Sequence, residues 1–151
     1  MSGQSVRGGK RPSRHHTVNP LLIVQQVASL VQFLSRVFDA IEVQQLARPD
    51  GTLIYAEVLI DDSLVMIMEP APGAPPLPCS LAIYADDVDD SYRRAVAEGA
   101  QSVQAPADHL NGHRTARIID PAGNRWTIHT VTEARSPADQ LAALLARRRT
   151  H

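Results

Sequence analysis

The sequence predicts an α+β fold made of two similar βαβββ modules around a small-molecule pocket. The first reason is an internal repeat with a spacing of about 60 residues, because the strand-like run at residues 21–24 recurs at residues 81–84. The second reason is the order of the predicted elements. Each run is followed by a helical segment, and three further strand-like segments come after that helix. Strands that outnumber helices and follow one another favour this fold over a doubly wound sheet.

The two helices are predicted from apolar side chains that recur every three or four residues. These are Val27, Leu30, Val31, Leu34 and Phe38 in the first module, and Val88, Tyr92, Ala95 and Val96 in the second. An aspartate cluster at residues 86–90 is interpreted as a helix start rather than a metal site, because carboxylates cap free backbone N–H groups there. Gly99 ends the second helix, and Asp39 takes the equivalent place in the first module.

Three strands are predicted after each helix, separated by turn residues. They are residues 42–46, 53–60 and 63–68 in the first module, and residues 102–104, 115–119 and 125–130 in the second. Residues 69–79 contain five prolines and predict an extended linker. The first module therefore spans residues 17–68 and the second spans residues 80–132.

Both ends of the chain are expected to lie outside this core. Residues 1–16 are basic and nearly free of apolar side chains, which predicts a disordered tail that includes His15 and His16. No apolar segment of the signal-peptide type follows the basic start, so we expect a cytoplasmic protein. Residues 133–151 predict a helix that starts at Ser136 and ends in a basic tail. Its narrow leucine stripe is expected to pack on the domain, to pack on a second subunit, or to fray.

The composition excludes several classes of function. Fifteen Lys and Arg against sixteen Asp and Glu leave a formal net charge of -1, which gives no electrostatic support for a nucleic-acid or membrane partner. The single cysteine, Cys79, excludes an internal disulfide and a cysteine-based zinc site.

Short motifs occur at matching places in the two modules. In the first they are Asn19-Pro20-Leu21, Phe33-Leu34-Ser35-Arg36-Val37-Phe38, Asp50-Gly51 and Tyr55-Ala56-Glu57. In the second they are Asp87-Val88-Asp89, Ala95-Val96-Ala97-Glu98-Gly99-Ala100, Gly112-His113-Arg114 and Asp120-Pro121-Ala122-Gly123-Asn124-Arg125-Trp126. As an ordered set they resemble the vicinal oxygen chelate superfamily of glyoxalases, bleomycin-resistance proteins and extradiol dioxygenases, and especially its PhnB-like subgroup. The resemblance covers residues 17–132. It implies that each module curls its mixed sheet into half a barrel, with the pocket inside.

The resemblance also identifies four inward strand positions, where metal-dependent members carry His or Glu. Matched motif by motif, these positions hold Asn19, Glu57, Ser80 and Thr127. Only Glu57 is a strong ligand for a transition metal, because an amide and two hydroxyls bind such ions poorly. We therefore expect no cofactor and no divalent metal, and we expect Asn19, Ser80 and Thr127 to contact an organic ligand instead.

Candidate catalytic residues follow from the alternation of side chains across a strand. Tyr55 shares a face with Glu57, and Arg125 and His129 share a face with Thr127. The resemblance places both faces around one cavity. Glu57 could then act as a general base, with Tyr55 donating to a substrate carbonyl and His129 carrying a proton. An ordinary ion pair between Glu57 and Arg125 is the structural alternative.

Arg114 is the remaining candidate, because the spacing of Gly112 and Arg114 recurs in the resembled subgroup. It would orient a ligand carbonyl or carboxylate, and Arg125 would join it as a ligand-binding residue. Three hypotheses follow from the resemblance. The first is a homodimeric, metal-free binder of a natural product, of the self-resistance type. The second is a cofactor-free isomerase, cyclase or lyase with Glu57 as its base, and the third is a metal-dependent glyoxalase or dioxygenase.

Overall fold

A computed structural model of the chain describes residues 11–149, which form two compact units. The first unit ends at Pro78 and the second begins at Cys79, at the end of the predicted linker. The tail predicted for residues 1–10 lies outside the described residues, as do residues 150–151.

The first unit is a four-stranded mixed sheet with one helix. Its elements are β1 (Leu21–Ile23), α1 (Val27–Phe38), β2 (Ile41–Ala47), β3 (Leu53–Ile60) and β4 (Ser63–Met68). The strands lie in the order β1-β4-β3-β2, with β1 parallel to β4 and the other neighbours antiparallel. Asp39 ends α1 in the left-handed conformation, with φ 56°, so this residue performs the role that glycine has in the second unit.

The second unit repeats this arrangement. Its elements are β5 (Ser80–Tyr84), α2 (Val88–Ala97), β6 (Gln101–Asp108), β7 (His113–Ile119) and β8 (Arg125–Val131), followed by α3 (Pro137–Arg148). The strand order β5-β8-β7-β6 and the parallel pairing of β5 with β8 match the first unit element for element. The predicted fold class and the duplication are therefore confirmed.

Strand β6 is the one strand whose predicted length differs greatly from the structure. The sequence predicts a strand at residues 102–104, and Pro106 cannot donate a ladder hydrogen bond. The strand nevertheless continues to Asp108, and its register with β7 shifts between Gln104 and Ala107. Pro106 is tolerated because β6 is an edge strand and the proline falls within this irregularity.

Each sheet packs one face against the helix of its own unit. In the first unit α1 packs against β3, whose residues Ala56, Val58 and Ile60 alternate into the core. In the second unit α2 packs against β6, β7 and β8, and Trp126 and Ile128 are buried on that side. We call the opposite face of each sheet its helix-free face. Strand alternation thus divides β3 and β8 into core residues and residues available for chemistry.

The turn between β7 and β8 is organised around the buried carboxylate of Asp120. One of its oxygens accepts hydrogen bonds from the backbone N–H groups of Ala122 and Asn124, at 2.8 and 3.0 Å. The other accepts from the indole nitrogen of Trp126 at 2.8 Å. Asn124 in turn accepts from the backbone N–H of Cys79 at 3.0 Å, which ties the turn to the start of β5.

Helix α3 follows the second sheet and has no buried residue. Its predicted N-cap is present, since the Ser136 hydroxyl accepts a hydrogen bond from the Asp139 N–H at 3.1 Å. The leucine stripe is largely exposed at Leu141, Leu144 and Leu145. Within residues 11–149, no helix has both the length and the apolar character that crossing a membrane requires.

Replacing Asp120 with alanine should lower the free energy of unfolding by about 3 kcal/mol, because buried donors lose a charged acceptor. Equilibrium urea unfolding measures the loss. The exposed Asp86, replaced in the same way, is the control and should change stability by less than about 0.5 kcal/mol. Equal effects of the two substitutions would show that Asp120 does not organise the turn.

Candidate functional site

Glu57 and Tyr55 lie on the helix-free face of β3, two residues apart. The strand register places Gln44 and Met66 on either side of Glu57, and Leu46 and Met68 on either side of Tyr55. Apolar side chains therefore surround a small polar centre. The predicted sharing of one face by Tyr55 and Glu57 is what the structure shows.

The Glu57 carboxylate is held at one of its two oxygens. Tyr55 donates its phenolic hydrogen to Oε2, and the imidazole Nε2 of His15 lies 3.1 Å from the same atom. Burial and the carboxylate together raise the pKa of Tyr55 above its ordinary value, so the phenol keeps its proton as a donor. Oε1 of Glu57 has no hydrogen-bond partner within the described residues and can accept a hydrogen bond or a proton.

His15 is a site residue that sequence reasoning missed, because it was expected to belong to the disordered tail. The structure instead places its ring against Glu57, with only 8% of the side chain exposed. Local hydrogen bonds shape the segment, including one of 2.6 Å from Arg11 to the Thr17 hydroxyl. His16 also contacts the first unit, since its Nε2 lies 3.2 Å from the backbone oxygen of Asp62. The structure thus shows contacts of Arg11, His15 and His16 within the first unit, whereas the sequence predicts residues 1–16 as a tail.

Asn19 is engaged within the chain. Its amide oxygen accepts from the His16 N–H at 2.9 Å, and its amide nitrogen donates to the His16 carbonyl at 2.8 Å. Both ends of the amide thus close the turn that precedes β1. This arrangement orients the segment that carries His15, and it supplies a structural role for a residue predicted to bind ligand.

The second unit presents Ser80, Arg125, Thr127 and His129 on the helix-free face of β5 and β8. Arg125 pairs with Ser80 across the sheet, and His129 pairs with Tyr84. The rings of Tyr84 and His129 have centroids 5.4 Å apart, and His113 lies 5.5 Å from His129. The predicted sharing of one face by Arg125, Thr127 and His129 is also what the structure shows.

His129 is oriented from the neighbouring strand. The Thr115 hydroxyl lies 3.0 Å from its Nδ1, and Thr115 is itself buried. Burial lowers the pKa of His129, and the nearby His113, Arg117 and His109 lower it further. The imidazole is therefore favoured in its neutral form, in which one ring nitrogen can accept a proton.

Arg114 lies on the opposite face of β7 and contacts the helix side. Its guanidinium forms two hydrogen bonds with Asp89 in α2, at 2.8 and 2.9 Å, and approaches Asp108 at 3.3 Å. The predicted ligand-orienting role for Arg114 is thus corrected to a clamp between α2 and the sheet. The sequence pattern placed the residue near the loop, but strand alternation turns its side chain away from His113 and Thr115.

The resemblance matches four positions of this chain to the metal ligands of metal-dependent members, and they hold Asn19, Glu57, Ser80 and Thr127. Asn19 is committed to a turn, Ser80 and Thr127 offer hydroxyls, and Glu57 is the one strong ligand among them. His15 adds a second strong donor beside Glu57. Within residues 11–149, no group of three or more His, Cys, Asp or Glu side chains is arranged to hold a metal ion.

A groove of about 320 Å³ lies between α3 and the loop that joins β6 to β7. Its lining residues are Asp108, His109, Leu110, Asn111, Ala143, Leu144 and Arg147. His109 and Asn111 are polar residues of this loop. None of the predicted catalytic or ligand-binding residues lines this groove.

Comparison with known proteins is consistent with this architecture. The family model of the glyoxalase/bleomycin resistance protein/dioxygenase superfamily matches residues 13–128. An uncharacterized protein of Mycobacterium bovis is 34% identical over 122 residues, which cover 74% of this chain and 80% of the relative.

Two solved structures show the same fold at low sequence identity. TioX from Micromonospora sp. ML1 has a TM-score of 0.63 and 21% identity, covering 76% of this chain and 98% of that one. The fosfomycin resistance protein FosX from Mesorhizobium loti has a TM-score of 0.59 and 22% identity, covering 84% and 98%.

We expect the free energy of unfolding to fall as the pH drops below about 6.5, the ordinary pKa of histidine. Well above pH 6.5, His129 is neutral in both the folded and the unfolded chain. As the pH falls, the unfolded chain binds a proton first, because the pKa of His129 is lowered in the folded chain. His129→Asn, which keeps a polar atom near Thr115, should flatten this decline in urea unfolding curves between about pH 7.5 and about pH 4.5.

Burial also lowers the pKa of His109, so His109→Gln should remove a further part of the same decline. The two substitutions together should flatten the curve more than either does alone. A decline in His129→Asn that runs parallel to the wild-type decline would contradict this account of His129.

Proposed function

Because the chain belongs to the glyoxalase/bleomycin resistance protein/dioxygenase superfamily, we propose that it binds a small organic molecule at the helix-free faces of its sheets, without a metal. The proposal depends mainly on the hydrogen bonds that the Glu57 carboxylate accepts. Its Oε2 is occupied by hydrogen bonds from Tyr55 and His15, and the other three matched positions offer an amide and two hydroxyls. Such groups recognise polar atoms of an organic ligand better than they hold a transition metal.

The composition of the faces supports an organic ligand. The first unit surrounds Glu57 and Tyr55 with methionine and leucine side chains, and the second unit places Tyr84 beside His129. Apolar walls with a few oriented polar groups are typical of small-molecule sites. Their chemistry suits a natural product with rings and carbonyl groups.

The biological setting of the proposal comes from the comparisons and the motifs. A fold neighbour named as a fosfomycin resistance protein supports a role in resistance or in natural-product biosynthesis. The motif set supports placement in the PhnB-like subgroup. We extend the proposal to a homodimer that acts in the cytoplasm.

A second candidate function is a cofactor-free isomerase, cyclase or lyase, and the geometry of Glu57 favours it specifically. Tyr55 and His15 anchor Oε2, while Oε1 is left to abstract a proton beside a substrate carbonyl. Tyr55 then orients the base rather than the substrate.

Metal analysis separates the proposed function from a metal-dependent one. We expect protein purified without a metal-affinity column to contain well under one transition-metal ion per chain, measured by inductively coupled plasma mass spectrometry. Dialysis against a chelator should leave the melting temperature unchanged. The proposal that no metal is needed would be overturned by one tightly bound ion per chain whose removal by the chelator lowers the melting temperature.

Glu57→Gln separates binding from catalysis. If Glu57 is a base, the variant should slow hydrogen–deuterium exchange beside the carbonyl of accepted ketones by about 100-fold to 10,000-fold, while their binding survives. Proton NMR in D₂O measures the exchange, and isothermal titration measures the binding. Glu42→Gln, at an exposed position on β2, is the matched control. Equal exchange in wild type and Glu57→Gln would leave binding as the function and eliminate Glu57 as the base.

A further inference from the structure

The helix-free face of the second sheet is rich in hydrogen-bond donors. The register forms one row from Ser80 through Arg125 to Ile119. The next row runs from Ala82 through Thr127 and Arg117 to Gln104. Neither row contains a carboxylate, and each contains a guanidinium.

Thr127 is the centre of this donor face. Arg117 is its direct cross-strand partner, and Arg125 is two residues away on the same strand and the same face. Directly paired side chains on a sheet have Cβ atoms about 5 Å apart, and diagonal neighbours are about 7–8 Å apart. Both guanidiniums can therefore reach a ligand atom placed above the Thr127 hydroxyl. The small side chain of Ala82 leaves space on the other side of Thr127.

The two arginines differ from most other arginines of this unit in lacking an acidic partner. Arg93 and Arg94 pair with Asp90, Arg114 pairs with Asp89, and Arg135 pairs with Glu133. Arg117 and Arg125 form no ion pair with any residue between 11 and 149. Two guanidiniums on one face repel each other, and a bound anion would relieve this repulsion.

A ring cluster adjoins the donor face. His129 lies two residues beyond Thr127, and its ring contacts Tyr84 and His113. Nδ1 of His113 is buried without a hydrogen-bond partner in the described part of the chain. The flat rings provide a surface on which a planar group can lie.

We propose that the donor face binds the carboxylate of a small organic acid between Arg117, Arg125 and Thr127, with the planar part of the acid against Tyr84 and His129. The inference rests on the proposed function, because it names the class of ligand for the same helix-free face. Guanidinium groups match the two oxygens of a carboxylate, and a hydroxyl can donate a third hydrogen bond. The ring cluster then favours aromatic or otherwise flat acids over short aliphatic ones.

Benzoate and benzamide provide the test, because they share a ring and differ in charge. Isothermal titration of the full chain at constant ionic strength should show that benzoate binds about tenfold or more tightly than benzamide. Arg117→Gln combined with Arg125→Gln should weaken benzoate binding by about tenfold or more and leave benzamide binding unchanged. Acetate should bind more weakly than benzoate, because it lacks the planar part.

Two further variants guard against trivial explanations. Arg93→Gln combined with Arg148→Gln removes the same total charge from exposed positions on α2 and α3, and should leave benzoate binding unchanged. Thr127→Val keeps the shape of its side chain and removes the hydroxyl, so it should weaken benzoate binding without loss of the fold. Thermal unfolding of each variant checks that the fold persists.

The outcomes distinguish this inference from the proposed function. Equal binding of benzoate and benzamide, both sensitive to Thr127→Val, would overturn the carboxylate site and leave a neutral-ligand function standing. If both pairs of arginine substitutions weaken benzoate binding equally, the effect comes from net charge alone, and the proposed carboxylate site is overturned. No binding of either compound at millimolar concentration would also overturn it, and would leave the metal analysis as the independent test of the proposed function.

Discussion

The alternation of side chains across a β-strand is the constraint on which the candidate sites depend. Each sheet has a single helix to cover it, so one set of alternate residues forms the core and the other set remains on the helix-free face. Glu57 lies between the buried Ala56 and Val58 for this reason. Thr127 likewise lies between Trp126 and Ile128. A register shift of one residue in either strand would move the core side chains to the helix-free face and the polar side chains into the core. The packing energy of the core therefore fixes the positions of the polar groups.

This constraint explains why much of the fold and part of the site could be predicted from the sequence. Period-two patterns revealed the strands, and the same patterns placed Tyr55 with Glu57 and His129 with Thr127. The repeat revealed the duplication, because the two modules reuse one order of elements. These features depend on residues that are close together in the sequence, so local sequence patterns are sufficient to predict them.

Three features depend on contacts between distant residues, and sequence patterns did not reveal them. His15 reaches Glu57 across 42 positions, from a segment whose composition indicates a tail. Arg114 is directed to Asp89 by strand alternation and by the packing of α2 against the sheet. Strand β6 continues past Pro106 because an edge strand tolerates a missing donor. A tertiary partner or a position in the sheet decides each of these features.

The contact between His15 and Glu57 changes how the first unit is understood. A carboxylate at a matched metal position would ordinarily be interpreted as a vestigial ligand. Here it accepts a hydrogen bond from Tyr55, whose pKa is raised so that its proton is retained. The second unit shows a complementary chemistry, with guanidiniums and hydroxyls in place of carboxylates.

Methyl NMR tests the central claim, that ligands occupy the helix-free faces. Alternate residues provide internal pairs, since Met66, Ala82 and Thr127 lie on these faces while Ile67, Ile83 and Ile128 lie on the helix sides. Titration with a library of small aromatic acids and amides should shift methyl signals of the first set and leave those of the second set unchanged. Shifts confined to the second set, or to the groove at Ala143 and Leu144, would contradict the account.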